Sequence, residues 1–290
     1  MNNNLMISGF SDEISSEFDT QLSVVSKLGM KYISLRGIDG KNIGEYSVDE
    51  VKEKVLPKLK RAGIGVSSIG SPIGKVFIDD EEGFIKQKAT LEKLCEISNL
   101  INCKYIRIFS FYIPKETCAD DYKDEVVSKL KCFSQIASKY NVVLLHENEK
   151  DIYGDISRRC YEILKAVDSP NFKAIFDFAN FVQCGESTQL CYELLKDDVE
   201  YIHIKDAVAS DNKNVVCGTG EGNIPEILSQ AIKGGYEGFL TLEPHLVLFD
   251  SLKDLELEEA TDVIKEDIGL SSEDAYKLQY ESLLEILQNI

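Results

Sequence analysis

The sequence predicts a single (β/α)8 barrel. Short apolar runs rich in Ile, Val, Phe and Tyr alternate with amphipathic segments from one end to the other, and eight of each can be counted. No Pro-, Gly- or Ser-rich linker divides the 290 residues, so eight βα units fill about the length of one such barrel. Strand and helix in strict alternation mean parallel strands. A doubly wound open sheet is the competing arrangement. It would ordinarily open on a Gly-rich turn, which Ile7-Ser8-Gly9-Phe10-Ser11-Asp12 does not provide.

The predicted strands, in order, are Leu5 to Gly9, Tyr32 to Arg36, Gly65 to Ile69, Tyr105 to Phe111, Val142 to Glu147, Phe172 to Asp177, Tyr201 to Lys205 and Gly238 to Glu243. Between them the apolar period becomes that of a helix, as in Phe18, Leu22 and Val25, in Leu91, Leu94, Cys95 and Ser98, and in Leu130, Phe133, Ala137 and Tyr140. Ser47 with Glu50 three residues later reads as a capping box, while Gly29, Gly63 and Gly234-Gly235 fall where helices stop. The acidic stretch 251–290 carries eleven acids and three lysines. Its Leu/Ile spacing from Leu278 to Leu287 predicts a helix that closes the outer ring rather than a solvated tail.

The chain has 32 basic and 50 acidic side chains, a net charge of −18, which repels phosphate backbones and argues against nucleic acid as a partner. No stretch approaches the ~18 uninterrupted apolar residues of a membrane span, and no export signal is visible, so no membrane partner is expected. The eight cysteines show no C-x-x-C pair and read as buried hydrophobes in a reducing, cytoplasmic setting.

Side chains at the C-terminal ends of barrel strands build the active site. Four consecutive strands end in Leu145-His146-Glu147, Phe176-Asp177, His203-Ile204-Lys205 and Leu242-Glu243-Pro244-His245. Any one of these residues taken alone is an ordinary helix cap or solvated carboxylate. Together Glu147, Asp177, His203 and Glu243 offer three carboxylates and an imidazole, a set suited to manganese, magnesium, cobalt or zinc.

Glu147, Asp177 with Asn180, His203-Ile204-Lys205-Asp206 and Glu243-Pro244 resemble the metal site of the xylose isomerase-like TIM barrels, the sugar phosphate isomerase/epimerase superfamily. Phe10-Ser11-Asp12-Glu13-Ile14, Leu35-Arg36-Gly37 and Ser68 to Lys75 are similar to stretches of its isomerases and keto-sugar epimerases. The resemblance implies one divalent ion, with manganese first, a small sugar or keto-sugar substrate and a homodimer or homotetramer. It also implies that Glu147 and Glu243 are both ligands and an acid/base pair acting from opposite faces of the substrate. Where the ketose 3-epimerases carry a histidine three residues after the aspartate and an arginine six after the ligand histidine, this chain has Asn180 and Ala209. Epimerisation, aldose–ketose isomerisation and loss of water, as in the inosose dehydratases, all share such a site. The repair endonucleases of the superfamily need more histidines than His146, His203 and His245.

Lys205 shares parity with His203 and is a candidate substrate contact, as are Asn180, Arg36 and His245. Arg107, like Arg36, reads equally as a substrate contact or as an arginine paired within a barrel layer. His146 points opposite to Glu147 and is read as packing. The run Gly218-Thr219-Gly220-Glu221-Gly222-Asn223 stands where many barrels bind phosphate, but Glu221 opposes that use and Asn223 explains the turn as a helix cap.

Overall fold

A computed structural model describes residues 5–249 and 269–290. The eight barrel strands are β1 (Met6–Gly9), β2 (Tyr32–Leu35), β3 (Gly65–Gly70), β4 (Tyr105–Ile108), β5 (Val143–His146), β6 (Phe172–Asp177), β7 (Val199–Ile204) and β8 (Phe239–Leu242). Each is parallel to its neighbour in chain order, β8 pairs back with β1, and a parallel bridge between Phe10 and Ser34 closes the ring. All eight expected strands are present: β6 has the expected bounds, β1, β2, β5 and β8 lose a residue at one end or both, β3 gains one, and β7 starts two residues earlier and ends one sooner.

One end differs more. The expected strand through Phe111 stops at Ile108, and Phe111 turns into a left-handed conformation (φ 68°). Its amide donates to Gly74 O (2.9 Å) and its ring packs against Phe84 and Phe133 outside the barrel. A bulky side chain tolerates that backbone only when packing fixes it. Gly74 (φ 91°) makes the close approach, because a Cβ there would lie 2.1 Å from Phe109 O.

The helices that cover the sheet follow the predicted stripes. They are α1 (Phe18–Lys27), α2 (Leu56–Ala62, led in by the helical segments Val48–Glu50 and Val51–Val55), α3 (Glu81–Leu100), α4 (Lys123–Ser138), α5 (Ser157–Val167), α6 (Phe178–Gln183), α7 (Thr188–Leu195), α8 (Ile224–Lys233) and α9 (Ser272–Asn289). The Ser47–Glu50 capping box forms, and Gly63 closes α2 in the left-handed conformation. The α9 helix docks through Ala275, Tyr276, Gln279 and Leu283; the rest of the expected closing segment, 250–268, lies outside the described residues. Gln279 donates to Ile204 O and accepts from the Cys217 amide, which ties α9 to the end of β7. All eight cysteines are free; five are buried, whereas Cys118 is exposed.

Strand alternation sorts the barrel interior into levels. Val143, Leu145, Ile175, Tyr201 and Phe239 form an apolar plug. Above it runs a hydroxyl layer in which Tyr201 Oη meets Ser67, Ser68 and Thr241, and Ser34 meets Ser68. The next inward positions carry the charges.

Candidate metal centre

Glu147 and Glu243 lie one residue beyond β5 and β8. Their amides still bond to the neighbouring strands, Glu147 to Ile108 O and Glu243 to Ile204 O. Asp177 and His203 are register partners across β6 and β7, and Thr241 pairs with His203 on the other side. One donor atom from each of Glu147, Asp177, His203 and Glu243 lies within 4.8 Å of the others, and all four residues are buried. His203 Nδ1 is 2.7 Å from Glu147 Oε1, 3.0 Å from Glu243 Oε2 and 3.7 Å from Asp177 Oδ2.

Asp177 performs two tasks. Its Oδ1 accepts the Asn180 amide and caps α6, while Oδ2 faces the centre, 3.4 Å from Lys205 Nζ. The helix cap is formed, and Oδ2 is left turned toward the other three side chains. Three carboxylates cannot share one imidazole N–H: His203 Nδ1 bonds Glu147 Oε1, and among the described residues the enclosed Asp177 Oδ2 and Glu243 Oε2 accept no hydrogen bond. An O3N set with unmet acceptor capacity fits a divalent ion.

Electrostatics at the centre follow from burial opposed by neighbours. Burial disfavours charge on Glu147, yet His203 and Arg107 outweigh it and hold the carboxyl below its ordinary range. Glu243 is likewise pulled well down against burial, by Lys205 and His203, whereas burial dominates at Asp177 and raises it. The carboxylates around His203, Glu147 foremost, overcome its burial and keep the imidazole protonated well above its ordinary range. A cation bound among these side chains therefore competes with a proton.

The structure brings Arg36 and His245 to the centre's rim. Arg36 Nε donates to Asp12 Oδ2 (2.8 Å), Nη1 to Glu243 Oε1 (2.9 Å) and Nη2 to Glu13 Oε1 (3.4 Å). This guanidinium, read from the sequence as either a substrate contact or a paired arginine, is enclosed by carboxylates of the protein itself. His245 adopts a left-handed backbone (φ 46°), donates its amide to Glu13 Oε2 and keeps Nε2 3.6 Å from both Glu13 and Glu243. Burial, reinforced by Lys205, keeps that imidazole neutral. Asn180 uses its side-chain N–H on Asn148 O (2.7 Å), and Asn148 in turn bonds both backbone polar groups of Asp177. Lys205 is 4% exposed and Asp177 is its ion-pair partner.

Sequence reasoning did not place Asp12 and Glu13 in the site. Their signal was available, since they follow β1 as Glu147 and Glu243 follow β5 and β8. Burial drives the Glu13 carboxyl up to about 8. Arg107, left open above, joins the site: its Nη1 lies 3.1 Å from Glu147 Oε2 and 3.4 Å from Glu243 Oε1. Glu149 with Lys75, 3.3 Å apart, was also missed.

The glycine-rich loop after β7 is occupied from within. Asp206 accepts the amides of Gly218, Gly220, Gly222 and Ala207, so those donors serve an internal carboxylate. Glu221 bonds the Ala209 amide. Asn223 stands at the N-cap of α8 but makes no capping bond with its side chain, which corrects the simple cap reading; its φ of 56° supplies the turn.

Fold and site together define a (β/α)8 barrel with a buried carboxylate–histidine centre, suited to a metal ion, at the C-terminal ends of its strands. A family model described as xylose isomerase-like TIM barrel matches residues 22–269, and the chain belongs to that family. It is 23% identical over 189 residues to a 3-dehydroshikimate dehydratase of Bacillus anthracis, a match spanning 64% of this chain and 65% of that relative. Among solved structures it resembles the IolI protein with a binding zinc atom (TM-score 0.75, 17% identity, 98% of each chain). It also resembles the D-allulose 3-epimerase of Methylomonas sp. in complex with D-allulose (TM-score 0.76, 13% identity, 97% of each chain). These structural likenesses establish the fold. Among the described residues no helix is long and apolar enough to cross a membrane.

Proposed function

We propose that this protein is a divalent-metal-dependent isomerase or epimerase that moves a proton on the carbon beside a carbonyl of a sugar or keto-sugar. The observation that carries the reading is the convergence of Glu147, Asp177, His203 and Glu243 from four consecutive strands. Manganese is the ion we favour, and the IolI relative's bound zinc supports a divalent ion in this fold.

A bound ion supplies Lewis-acid polarisation of the substrate oxygen beside the acidic C–H. Glu147, tied to His203 and Arg107, takes the proton from that carbon. Glu243, held by Arg36 and Arg107, takes up a proton from solvent and returns it to the substrate from the other side. Lys205, buried and cationic, stabilises negative charge developing on the enediolate. Return to the same carbon gives an epimer, and return to its neighbour interconverts aldose and ketose.

The test is solvent exchange. Manganese-saturated protein incubated in D2O with a broad panel of ketoses and keto-sugars should place deuterium beside the carbonyl of at least one, and no incorporation anywhere sinks the reading. Glu147→Gln should lower that exchange by about 10²-fold or more.

One observation favours a second reading, a dehydratase. The histidine and arginine expected of a ketose 3-epimerase are Asn180 and Ala209 here, and Asn180 is engaged by Asn148. A relative named 3-dehydroshikimate dehydratase points the same way. In that reaction Glu147 removes the same proton and the β-hydroxyl leaves as water, protonated by Glu243. Substrate-dependent loss of one water without any epimer distinguishes it by mass spectrometry.

A further inference from the structure

Arg107 is buried, and the structure accounts for only part of its guanidinium. Cζ stacks over the rings of Phe10 (5.0 Å) and Phe109 (4.9 Å), and Nη1 faces Glu147 and Glu243. Nε and Nη2 are enclosed, yet among the described residues no acceptor takes a hydrogen bond from either. The contrast with Arg36 is informative, since Arg36 uses the same edge on Asp12 and Glu13.

The N–H bonds of Nε and Nη2 on that edge run side by side, a spacing matched by the two oxygens of one planar carboxylate. Leaving such donors buried and unmet costs about 1–3 kcal/mol, more for a charged group, so a fold that keeps them gains from filling them. Nη1 of the same guanidinium touches both glutamates of the acid/base pair, which puts the open edge next to the reacting centre. Glu243, which Arg107 Nη1 also faces, lies 3.6 Å from the neutral His245 Nε2, and Lys205, paired with Asp177, adds a positive charge to the same centre.

We propose that the substrate carries a carboxylate, received by the Nε/Nη2 edge of Arg107, so that the substrate class is a polyhydroxylated ketone bearing an acid group. This rests on the reading of the centre given above and narrows its substrate. A phosphate is the poorer fit, because the one open edge supplies two donors and the glycine-rich loop amides already serve Asp206.

The test follows the arginine side-chain N–H signals by ¹⁵N NMR in zinc-loaded and in metal-free full-length protein. The Arg107 signal is assigned by its loss in Arg107→Lys and, should that variant not fold, in Arg107→Gln or by triple-resonance methods. Sodium acetate, the planar but neutral acetamide, inorganic phosphate and sodium chloride are the probes. A saturable shift of the Arg107 Nε–H with acetate, at least tenfold tighter than with acetamide or chloride, is expected. Tighter binding of phosphate than of acetate overturns the carboxylate assignment. No saturable shift with any probe overturns the proposal and leaves the edge to an ordered water. Failure to bind zinc, read by calorimetry, would instead fail the metal reading, while the acetate result in metal-free protein still decides the question for Arg107.

Discussion

At the scale of single residues, the strands' parity separates neighbours into opposite fates. Glu147 faces the centre and His146 faces away, stacked near Phe172 with Nε2 enclosed and unbonded. Burial lowers the His146 imidazole to about 3. Its folded pKa lies below the unfolded value, so between about pH 6.5 and 3 the unfolded chain takes up a proton that the native protein refuses. Stability should therefore fall as pH drops through that window, with His146 contributing up to about 1.4 kcal/mol per pH unit. Urea unfolding at a series of pH values should show a shallower slope in His146→Gln than in the wild type; equal slopes would contradict the assignment. The Glu147→Gln exchange experiment belongs to this scale too.

At the scale of elements, the turn after β7 shows why a motif needs its surroundings. Gly218 to Gly222 has the composition of an anion cradle and does hold an anion, the Asp206 carboxylate. Asp206→Ala should take the acceptor from four amides, those of the buried Ala207 and Gly222, the half-buried Gly220 and the exposed Gly218, and lower stability by about 3 kcal/mol, with a matching fall in the urea midpoint. The ends of β5, β6 and β8 were legible because each apolar run there gives way to a carboxylate, Glu147, Asp177 and Glu243. What happened after β4 was not: Phe111 continues the apolar pattern, and only the pairing of its amide with Gly74 O turns it outward. Asp12 and Glu13 were visible as strand-end acids but had no partner within reach in sequence.

For the whole molecule, the acid excess takes on a specific meaning. Three buried carboxylates meet at one point, and the protein's own cations, Arg36, Arg107, His203 and Lys205, oppose their mutual repulsion; a divalent ion bound among them would relieve it further. Manganese at a hundredfold its dissociation constant should raise the unfolding free energy by about 2.7 kcal/mol, and chelation should remove that gain. Asp177→Ala or His203→Ala should abolish the manganese-dependent increase in melting temperature; an unchanged increase would place the ion elsewhere. The affinity should also weaken as pH falls, since His203 must give up its proton to serve as a ligand.

The sequence by itself determined the barrel and four of the residues at its centre. Apolar periodicity is a local property, and the C-terminal end of a strand is marked by the residue that ends the run. Tertiary structure decided how those residues are held. Arg36 and Glu243 are 207 positions apart, Arg107 and Glu243 are 136 apart, and Glu13 reaches His245 across 232. Such pairs exist only because closing the barrel brings the first strands against the last. The same closure turns Arg36 toward the protein's own carboxylates and leaves one edge of Arg107 open, a distinction that depends on which acceptor stands within 3 Å.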